Sequence, residues 1–291
     1  MAITIDDLPG VVAPGEGIPE LRAITEKLVR AIVANGIPAV GFVNEGKLAP
    51  QGSPELDRVA LLSRWLSAGL ELGNHTYSHL DLHKTPLAAF EEDAARGEET
   101  TRGLLAARGL RLRYFRHPFL HTGRSLETRR ELEAFLSKRG SRVAPVTIDN
   151  SEWIFARAYA LAKQRGDRRL AGRVAAAYVP YMEAMTDYCE RQSRRLFSRE
   201  IRQVLLIHGN ALNADNLPRL AARLRARGYA FITLERALED PAYASDDAFT
   251  GPGGITWLHR WALTSHGRDG ILSGEPATPR FVQEAAGITE E

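Results

Sequence analysis

Cysteine is almost absent from this sequence of 291 residues, which contains only Cys189. A single cysteine excludes an internal disulfide bond and any zinc cluster built from cysteine thiolates. Because Cys189 falls in a helical pattern with Tyr181, Met185 and Tyr188, we interpret it as a thiol in a core or groove. Long apolar runs are absent as well, and none approaches the length of a membrane-spanning segment.

The sequence also lacks an excess of one charge. Its formal net charge is +2, which is too close to neutral to indicate binding to nucleic acid. The arginine-rich stretch from Arg157 to Arg199 alternates with acidic and aliphatic residues at helical spacing, as solvated helix faces do. No signal peptide is visible, so we expect either a cytoplasmic protein or a periplasmic or secreted one whose leader has been removed. No pattern indicates an oligomeric state.

What the sequence does contain is a succession of short apolar segments that alternate with helical patterns. Hydrophobic residues make up 44% of the chain and charged residues 25%, as in a globular protein with a large core. This alternation indicates a parallel sheet covered by helices, and its near-regular repetition favours a (β/α)7-type barrel over an open sheet. The seven predicted strands are Ala2–Ile5, Pro38–Val43, Gly69–Gly73, Leu112–Arg116, Arg142–Ile148, Val204–Ile207 and Ala230–Thr233.

No internal repeat or low-complexity linker divides the chain, so we predict one domain over residues 1–291. One predicted helix covers Leu87–Arg108. Two later ones, Trp153–Arg165 and Arg169–Phe197, are longer than a barrel crossover requires, which predicts a helical insertion at about residues 154–202. From Pro241 onward, glycine and proline interrupt the pattern and predict an irregular C-terminal arm at about residues 241–291.

Ionisable side chains stand where several of the predicted strands end. In a parallel barrel the carboxyl ends of all strands meet on one face, which is where catalytic groups collect. One strand that ends in such a residue would be unremarkable, but the repetition indicates an active site. The residues concerned are Asp6, Asp7, His75, His79, Arg116, Asp149 and His208.

The spacing of His75 and His79 predicts a metal site. Two histidines four residues apart can face one point, and Asp7 is the candidate third ligand. On its own this spacing is more often a pair of surface histidines. With a carboxylate added, the set suits one divalent ion, zinc in the first place and cobalt or nickel in the same geometry. Such an ion lowers the pKa of its water and polarises a carbonyl.

The remaining strand-end residues can complete a hydrolytic site. Asp6 projects away from Asp7 in an extended segment, which leaves it available as a base, and Arg116 can pair with it. His208 can protonate a leaving group, with Asp149 orienting it. Helix capping remains an alternative for Asp6 and Asp149, and a structural ion pair for Arg116. We expect most of the other histidines to lie at the surface or in loops: His83, His117, His121, His259 and His266.

The chain from Ile3 to about Leu234 resembles the NodB-homology polysaccharide deacetylases, carbohydrate esterase family 4. The resemblance lies in five segments in the order of the family's motifs: Thr4–Asp7, His75–His79, Arg116–Pro118, Asp149–Trp153 and Leu205–His208. It implies a distorted barrel that hydrolyses an N-acetyl or O-acetyl group. It further implies that Asp6 is the base, that Asp7, His75 and His79 hold the metal, and that His208 is the acid. Arg116 would tune Asp6, and Asp149 would tune His208.

The sequence departs from the family pattern at two of these motifs. Leu8 follows the aspartate pair, where the family usually has glycine, and Glu152 stands where it often has aspartate. Neither departure removes a predicted ligand.

We therefore predict a metal-dependent deacetylase of an acetylated saccharide, with these candidate substrate-binding residues: Pro118, Phe119, His121 and Trp153. A hydrolase of small cyclic amides or ureides on the same scaffold is an alternative, because the insertion and the arm can close the groove. An inactive carbohydrate-binding relative is a second alternative. Iron-oxygenase chemistry fits the ligand set but not the alternation of strands and helices.

Overall fold

Six parallel strands form the sheet on which the molecule is built. The computed structural model describes residues 1–266 and 273–288. The strands lie side by side in the order β5-β4-β3-β2-β1-β6, so β1 is flanked by β2 and β6. Their bounds are Ala2–Val11 for β1, Val40–Val43 for β2, Glu71–Asn74 for β3, Tyr114–Phe115 for β4, Arg142–Val143 for β5 and Val204–Asn210 for β6.

The two edges of the sheet meet through the chain that follows β5. Ile148 forms a parallel bridge with Leu205 of β6. The Ile148 amide donates to the carbonyl of Val204 at 3.0 Å, and the Leu206 amide donates to the carbonyl of Ile148 at 3.0 Å. The predicted α/β, barrel-like architecture is thereby confirmed.

Two of the seven predicted strands differ from expectation. The strand predicted at Arg142–Ile148 ends after Val143, because Pro145 has no N–H to donate to a ladder. The segment Ala230–Thr233 is not a strand, although Ile232 donates to the carbonyl of Met1 at 3.0 Å. It stops there because Thr233 caps the helix that begins at the next residue.

Eleven α-helices are described along the chain. The predicted helix Leu87–Arg108 is divided in two at Gly97, and the predicted insertion consists of two helices, α6 and α7. The helices are α1 Ile18–Ala34, α2 Leu56–Ser67, α3 Leu87–Arg96, α4 Glu99–Ala106, α5 Leu126–Lys138, α6 Glu152–Gln164, α7 Arg168–Phe197, α8 Ala211–Ala226, α9 Leu234–Leu238, α10 Trp257–His266 and α11 Arg280–Ala286. None of these described helices is long and apolar enough to cross a membrane.

The C-terminal arm contains helices where irregular structure was expected. Helix α10 buries Leu258 and Trp261, and the Trp261 ring lies 5.7 Å from that of Phe197 in α7. Helix α11 buries Val282 and packs against α6. Such short helices are marginal in water, so their apolar contacts with the insertion account for them. Residues 267–272 and 289–291 of the predicted arm lie outside the described part of the chain.

The break between α3 and α4 supports the loop that follows β3. Gly97 is buried there, and a Cβ added to it would lie 2.8 Å from Thr76 Cα and closer still to Thr76 C and Tyr77 N. From α3, the Asp93 carboxylate accepts hydrogen bonds from the amides of Tyr77 and Ser78 at 3.1 and 3.0 Å. The helix break therefore lets α3 and α4 approach the backbone of this loop.

We predict that Gly97→Ala destabilises the protein by about 1–3 kcal/mol, because the added methyl group has no space against backbone atoms. Gly103→Ala in α4 is the matched control, since its Cβ would meet nothing within 4 Å. The control should gain ~0.5–1 kcal/mol from helix propensity. Urea unfolding of both variants measures the difference, and equal stabilities would contradict the packing described for Gly97.

Candidate metal centre and active site

The register of the sheet brings the strand-end residues together. Asp6 on β1 is directly paired with His208 on β6. Asn74 at the end of β3 lies beside Phe115 of β4, so His75 and Arg116 follow from neighbouring strands. The Arg116 amide donates to the carbonyl of Asn74 at 2.9 Å. Parallel pairing thus places residues that are far apart in sequence on one face of the sheet.

Asp7, His75 and His79 offer three ligand atoms to one point. The Oδ1 atom of Asp7 lies 3.9 Å from His75 Nε2 and 3.8 Å from His79 Nε2, and all three atoms lie within 4.8 Å of one another. Ligands of one tetrahedral zinc ion, each about 2.1 Å from it, are roughly 3.4 Å apart. Small side-chain rotations would bring the three atoms to that spacing. Asp7 Oδ1 is buried and, apart from an ion pair with Lys47 Nζ at 3.1 Å, has no hydrogen-bond partner among the described residues.

A hydrogen bond sets the ligand atom of His75. Its Nδ1 lies 2.8 Å from the carbonyl oxygen of Arg116, which can only accept, so Nδ1 carries the proton and Nε2 has the lone pair. Burial lowers the pKa of His75 to about 4. Burial and the neighbouring His75 lower the pKa of His79 to about 4. Both imidazoles are therefore neutral near pH 7, which is the form that binds metal ions.

The backbone around these ligands is strained. Only six described residues other than glycine have a positive φ, and five of them are at the site. They include the candidate ligands Asp7, with φ of 72°, and His79, with φ of 57°, and Thr76 between the two histidines. The other two are Phe119, whose ring centroid lies 4.6 Å from that of His79, and Leu120. Such conformations persist where surrounding contacts enforce them, and they occur often in active sites.

Lys47 is an unexpected cation beside the ligand set. Its Nζ lies 3.1 Å from Asp7 Oδ1. Burial alone would raise the pKa of Asp7, but Lys47, together with His208, His75 and His79, outweighs burial and holds that pKa below its usual range. Asp7 is consequently ionised, as a metal ligand must be, while the charge of Lys47 opposes the arrival of a second cation.

Asp6 lies on the cavity wall with one oxygen unpaired. Its Oδ2 is 3.8 Å from Arg116 Nη1 and 3.8 Å from His75 Nε2, whereas Oδ1 has no hydrogen-bond partner among the described residues. Arg116 is fully buried, donates to Thr4 Oγ1 at 3.0 Å and lies over the ring of Phe42. Burial raises the pKa of Asp6 and outweighs the opposing charge of Arg116. A carboxylate that is desolvated in this way binds a proton more readily than an exposed one.

Glu152, and not the predicted Asp149, makes the hydrogen bond to His208. The Glu152 Oε2 atom lies 2.8 Å from His208 Nδ1 and accepts from the His208 amide at 3.1 Å. Its other oxygen accepts from Asn210. Burial alone would lower the pKa of His208, but the hydrogen bond and charge of Glu152 raise it to about 9. Asp149 lies on the cavity wall, where burial raises its pKa to about 6.

A cavity of about 380 Å³ connects these groups, and its wall includes Asp6, Asp7, His75, His79, Asp149 and His208. Of the four candidate substrate-binding residues, Phe119 and Trp153 form part of the wall, whereas Pro118 and His121 do not. His117, one of the histidines expected mostly at the surface or in loops, lies in a loop but is buried on this wall, with no partner for either ring nitrogen among the described residues. In the sequence, the only sign that His117 would lie at the cavity was its position in the motif Arg116–Pro118.

A second group of potential ligands, Asp81, His83 and His121, also lies within 4.8 Å. Its geometry is different, because the two imidazole rings are stacked 3.9 Å apart at an interplanar angle of 6°. Imidazole lone pairs lie in the ring plane, so two parallel rings cannot direct them at a common ion. His121 Nδ1 is in addition 2.6 Å from Asp81 Oδ1. The geometry therefore favours Asp7, His75 and His79 as the metal ligands.

Residues 1–134, which include the aspartate pair, both histidine ligands and Arg116, match the sequence profile of the family described as polysaccharide deacetylase. Over this part, slightly less than half of the chain, the sequence is similar to the polysaccharide deacetylase family. The resemblance drawn from its motifs is thereby confirmed. No curated protein shows a significant sequence match to the chain.

Solved structures with a similar fold include a pseudoenzyme of carbohydrate esterase family 4 from Bacillus anthracis, with a TM-score of 0.50 and 14% identity over 81% of this chain and 64% of that one. A mutant of that protein with restored enzymatic activity has a TM-score of 0.51 and 16% identity over 81% of this chain and 66% of that one. A family 4 carbohydrate esterase from Streptomyces lividans, in complex with acetate, has a TM-score of 0.49 and 22% identity over 81% of this chain and 94% of that one.

These likenesses concern the fold alone. The chain spans slightly less than two thirds of the length of the first two proteins. The segments that carry Glu152 and His208 lie beyond the profile match. The roles of these residues therefore depend on the geometry described above.

We predict that His75→Ala loses the metal site and that His83→Ala does not. After incubation with zinc and desalting, the wild type and His83→Ala should each retain about one ion per chain, as expected of a single site. His75→Ala should retain almost none, because two ligands bind zinc far more weakly than three. Elemental analysis by mass spectrometry measures the ratio. Loss of the ion from His83→Ala alone would transfer the site to the second group.

Proposed function

We propose that the protein is a metal-dependent hydrolase that removes acetyl groups from an N-acetylated or O-acetylated saccharide. One observation carries the proposal. An unpaired carboxylate oxygen of Asp6, the convergent ligand atoms of Asp7, His75 and His79, and a protonated His208 all face one cavity. A base, an electrophile site and an acid in one place are what amide hydrolysis requires.

Asp7, His75 and His79 would hold the ion. When bound, a divalent cation acts as a Lewis acid on a carbonyl and makes a coordinated water more acidic. The neutral imidazoles and the ionised carboxylate require no change of protonation before they bind it. Zinc is the metal we propose first, because it suits two imidazoles and one carboxylate.

Asp6 is the residue placed to accept the proton of the attacking water. Its raised pKa makes it a better base than an exposed carboxylate, and its unpaired Oδ1 needs no partner to leave before a proton arrives. The guanidinium group of Arg116 lies beside the other oxygen of Asp6, Oδ2. Because Arg116 is fully buried, water does not screen its charge from Asp6.

His208 is placed to protonate the leaving nitrogen. Glu152 accepts the Nδ1 proton, so Nε2 is the nitrogen available to the substrate. Since the pKa of His208 is raised to about 9, the imidazole is protonated near neutral pH and can act as an acid. An amide needs this proton more than an ester does, because the amine is the poorer leaving group.

The rim of the cavity supports a saccharide as substrate. The side chains of Phe119 and Trp153 are 53% and 50% exposed at the wall, although large apolar residues are usually covered. Aromatic rings at a cavity mouth provide flat apolar surfaces on which the face of a sugar ring can stack. Acetate release from a panel of acetylated saccharides would identify the glycan, its chain length and the position of the acetyl group.

A specific contact favours the second candidate, a hydrolase of small cyclic amides. Gly254 of the C-terminal arm lies on the cavity wall so close to the carbonyl of Phe119 that a Cβ would clash with it. The arm therefore narrows one side of the groove, which a long polymer would have to cross. A panel of acetylated oligosaccharides and cyclic imides, scored for acetate and for ring opening, separates the two candidates.

We predict that Asp6→Asn keeps its metal and loses activity. Asparagine has nearly the same shape but cannot accept the proton of a water, so kcat should fall by about 10²- to 10⁴-fold. Acetate release and metal content are measured on the same sample, with Asp57→Asn on an exposed helix as control. An Asp6→Asn variant that is metal-loaded and fully active would rule out Asp6 as the base.

We predict that Glu152→Gln moves the alkaline limb of the pH profile of kcat/KM to lower pH. His208 must be protonated to act, so activity falls as pH rises through its pKa. Removing the carboxylate that raises this pKa should shift the limb down by about 1–3 pH units. Asp149→Asn is the comparison, since it lacks the hydrogen bond to His208. A larger shift in Asp149→Asn would return the orienting role to Asp149.

A further inference from the structure

A second cavity opens from the reacting groups and extends away from the saccharide rim. Its volume is about 270 Å³, and its wall shares Asp7, Trp153 and His208 with the main cavity. From there it runs between the chain that follows Asp7 and one face of α6, and Trp153 lines both cavities. We call this second cavity the side pocket.

One stripe of α6 forms a long wall of the side pocket. Trp153, Ala156, Ala160 and Leu161 line it, together with Arg157. Residues at this spacing lie on the same face of a helix. The two alanines are small, and their size leaves the space that a larger side chain would fill.

The facing wall is mostly apolar too. It consists of the run Val11–Pro14 at the end of β1 and just beyond it, with Ala211 at the start of α8. Asn210 is its one uncharged polar side chain in the described part of the chain, and its amide donates to Glu152. Beyond the two shared reacting groups, Arg157 is the one charged residue on the wall among the described residues. Its Nε donates to the carbonyl of Ala286 in α11 at 2.7 Å, so the guanidinium group is engaged by α11.

The mouth of the side pocket exposes apolar side chains. Val11 is 42% exposed and Trp153 is 50% exposed, and both belong to the six large hydrophobic residues that are exposed in the described chain. A solvated apolar surface that continues directly from an acid and a metal-ligand set has the character of a ligand subsite. Sugar hydroxyls would find few partners there, since the walls are mostly hydrocarbon.

We propose that the side pocket binds an apolar substituent, aryl or short alkyl, attached to the substrate next to the bond that is cleaved. The inference rests on the proposed hydrolase function and narrows its substrate class. A cavity of about 150 Å³ is enough to bind benzene, so the side pocket accepts a group of about benzyl size. Because α6 belongs to the helical insertion, this addition to the barrel shapes the subsite, and α11 of the arm packs against α6.

Three amides that differ in the presence and position of one phenyl group test the proposal. N-methylacetamide has none, N-benzylacetamide has it on the amine side, and N-methylphenylacetamide has it on the acyl side. We expect the zinc-loaded protein to favour one of the phenyl amides over N-methylacetamide by about 10- to 100-fold in kcat/KM, the factor expected for burying such a ring. Which of the two is favoured identifies the side of the bond that the pocket serves.

Ala160→Trp fills the side pocket from the face of α6 without changing a reacting group. The ratio of kcat/KM between the favoured phenyl amide and N-methylacetamide should fall to about one. Ala222→Trp, at an exposed position in the middle of α8, is the matched control and should leave that ratio and the activity unchanged. A preference that survives in Ala160→Trp, or no preference in the wild type, overturns the proposal.

Ligand-observed NMR separates failure of the inference from failure of the proposed function. Binding of N-benzylacetamide and N-methylphenylacetamide, each against N-methylacetamide, is measured on the wild type and on Ala160→Trp, and needs no turnover. Preferential binding of a phenyl amide that Ala160→Trp abolishes, with no hydrolysis of any amide, would reject the hydrolase and retain the subsite. Hydrolysis without preferential binding would reject the subsite and retain the hydrolase.

Discussion

The hydrogen bond from His75 Nδ1 to the carbonyl of Arg116 is the contact on which the rest of the site depends. It joins the residue that follows β3 to the residue that follows β4. On one side it leaves Nε2 of His75 as the ligand atom. On the other it fixes the backbone of Arg116, whose side chain lies beside Asp6. The candidate metal site and the candidate base are consequently held by the same bond.

Around this bond, several buried polar groups are kept ready for a substrate instead of being paired with one another. Asp6 Oδ1 and both ring nitrogens of His117 lack hydrogen-bond partners among the described residues, and Asp7 Oδ1 has only its ion pair with Lys47. Buried polar atoms usually have partners, so such a concentration costs stability. The strained φ angles of Asp7 and His79 add to that cost. The loop contacts from Asp93 and the close approach at Gly97 are what hold this arrangement.

Much of the fold and most of the site could be predicted from the sequence. Apolar runs that end in Asp7, His75, Arg116 and His208 indicated a parallel sheet with polar groups at one edge, because strand period and strand ends are local properties of a sequence. The break of α3 from α4 could not be predicted in this way. It depends on Gly97 meeting the backbone of Thr76, which is a contact across 21 residues.

The partner of His208 was missed for a similar reason. Asp149 and Glu152 stand in the same motif, and nothing local distinguishes them. Glu152 is the partner of His208 because α6 begins at Glu152 and directs its side chain at β6. There the carboxylate also accepts a hydrogen bond from Asn210. The burial of His117 likewise depends on tertiary packing. The segment Ala230–Thr233 keeps its contacts with Met1 but ends where Thr233 caps α9.

The pairing of Asp6 with His208 across β1 and β6 has a consequence for how such a protein can evolve. The register is constant from Ala2 to Asp6, and a slip of one strand by one residue would turn its side chain at this pair to the opposite face. The buried residues Ile5 and Ile207, themselves paired, therefore fix the separation of the candidate acid and base although neither lines the cavity. Mutational drift in these two strands would alter turnover and folding at once. New specificities are accordingly more accessible through α6 and the arm, where the barrel core is left intact.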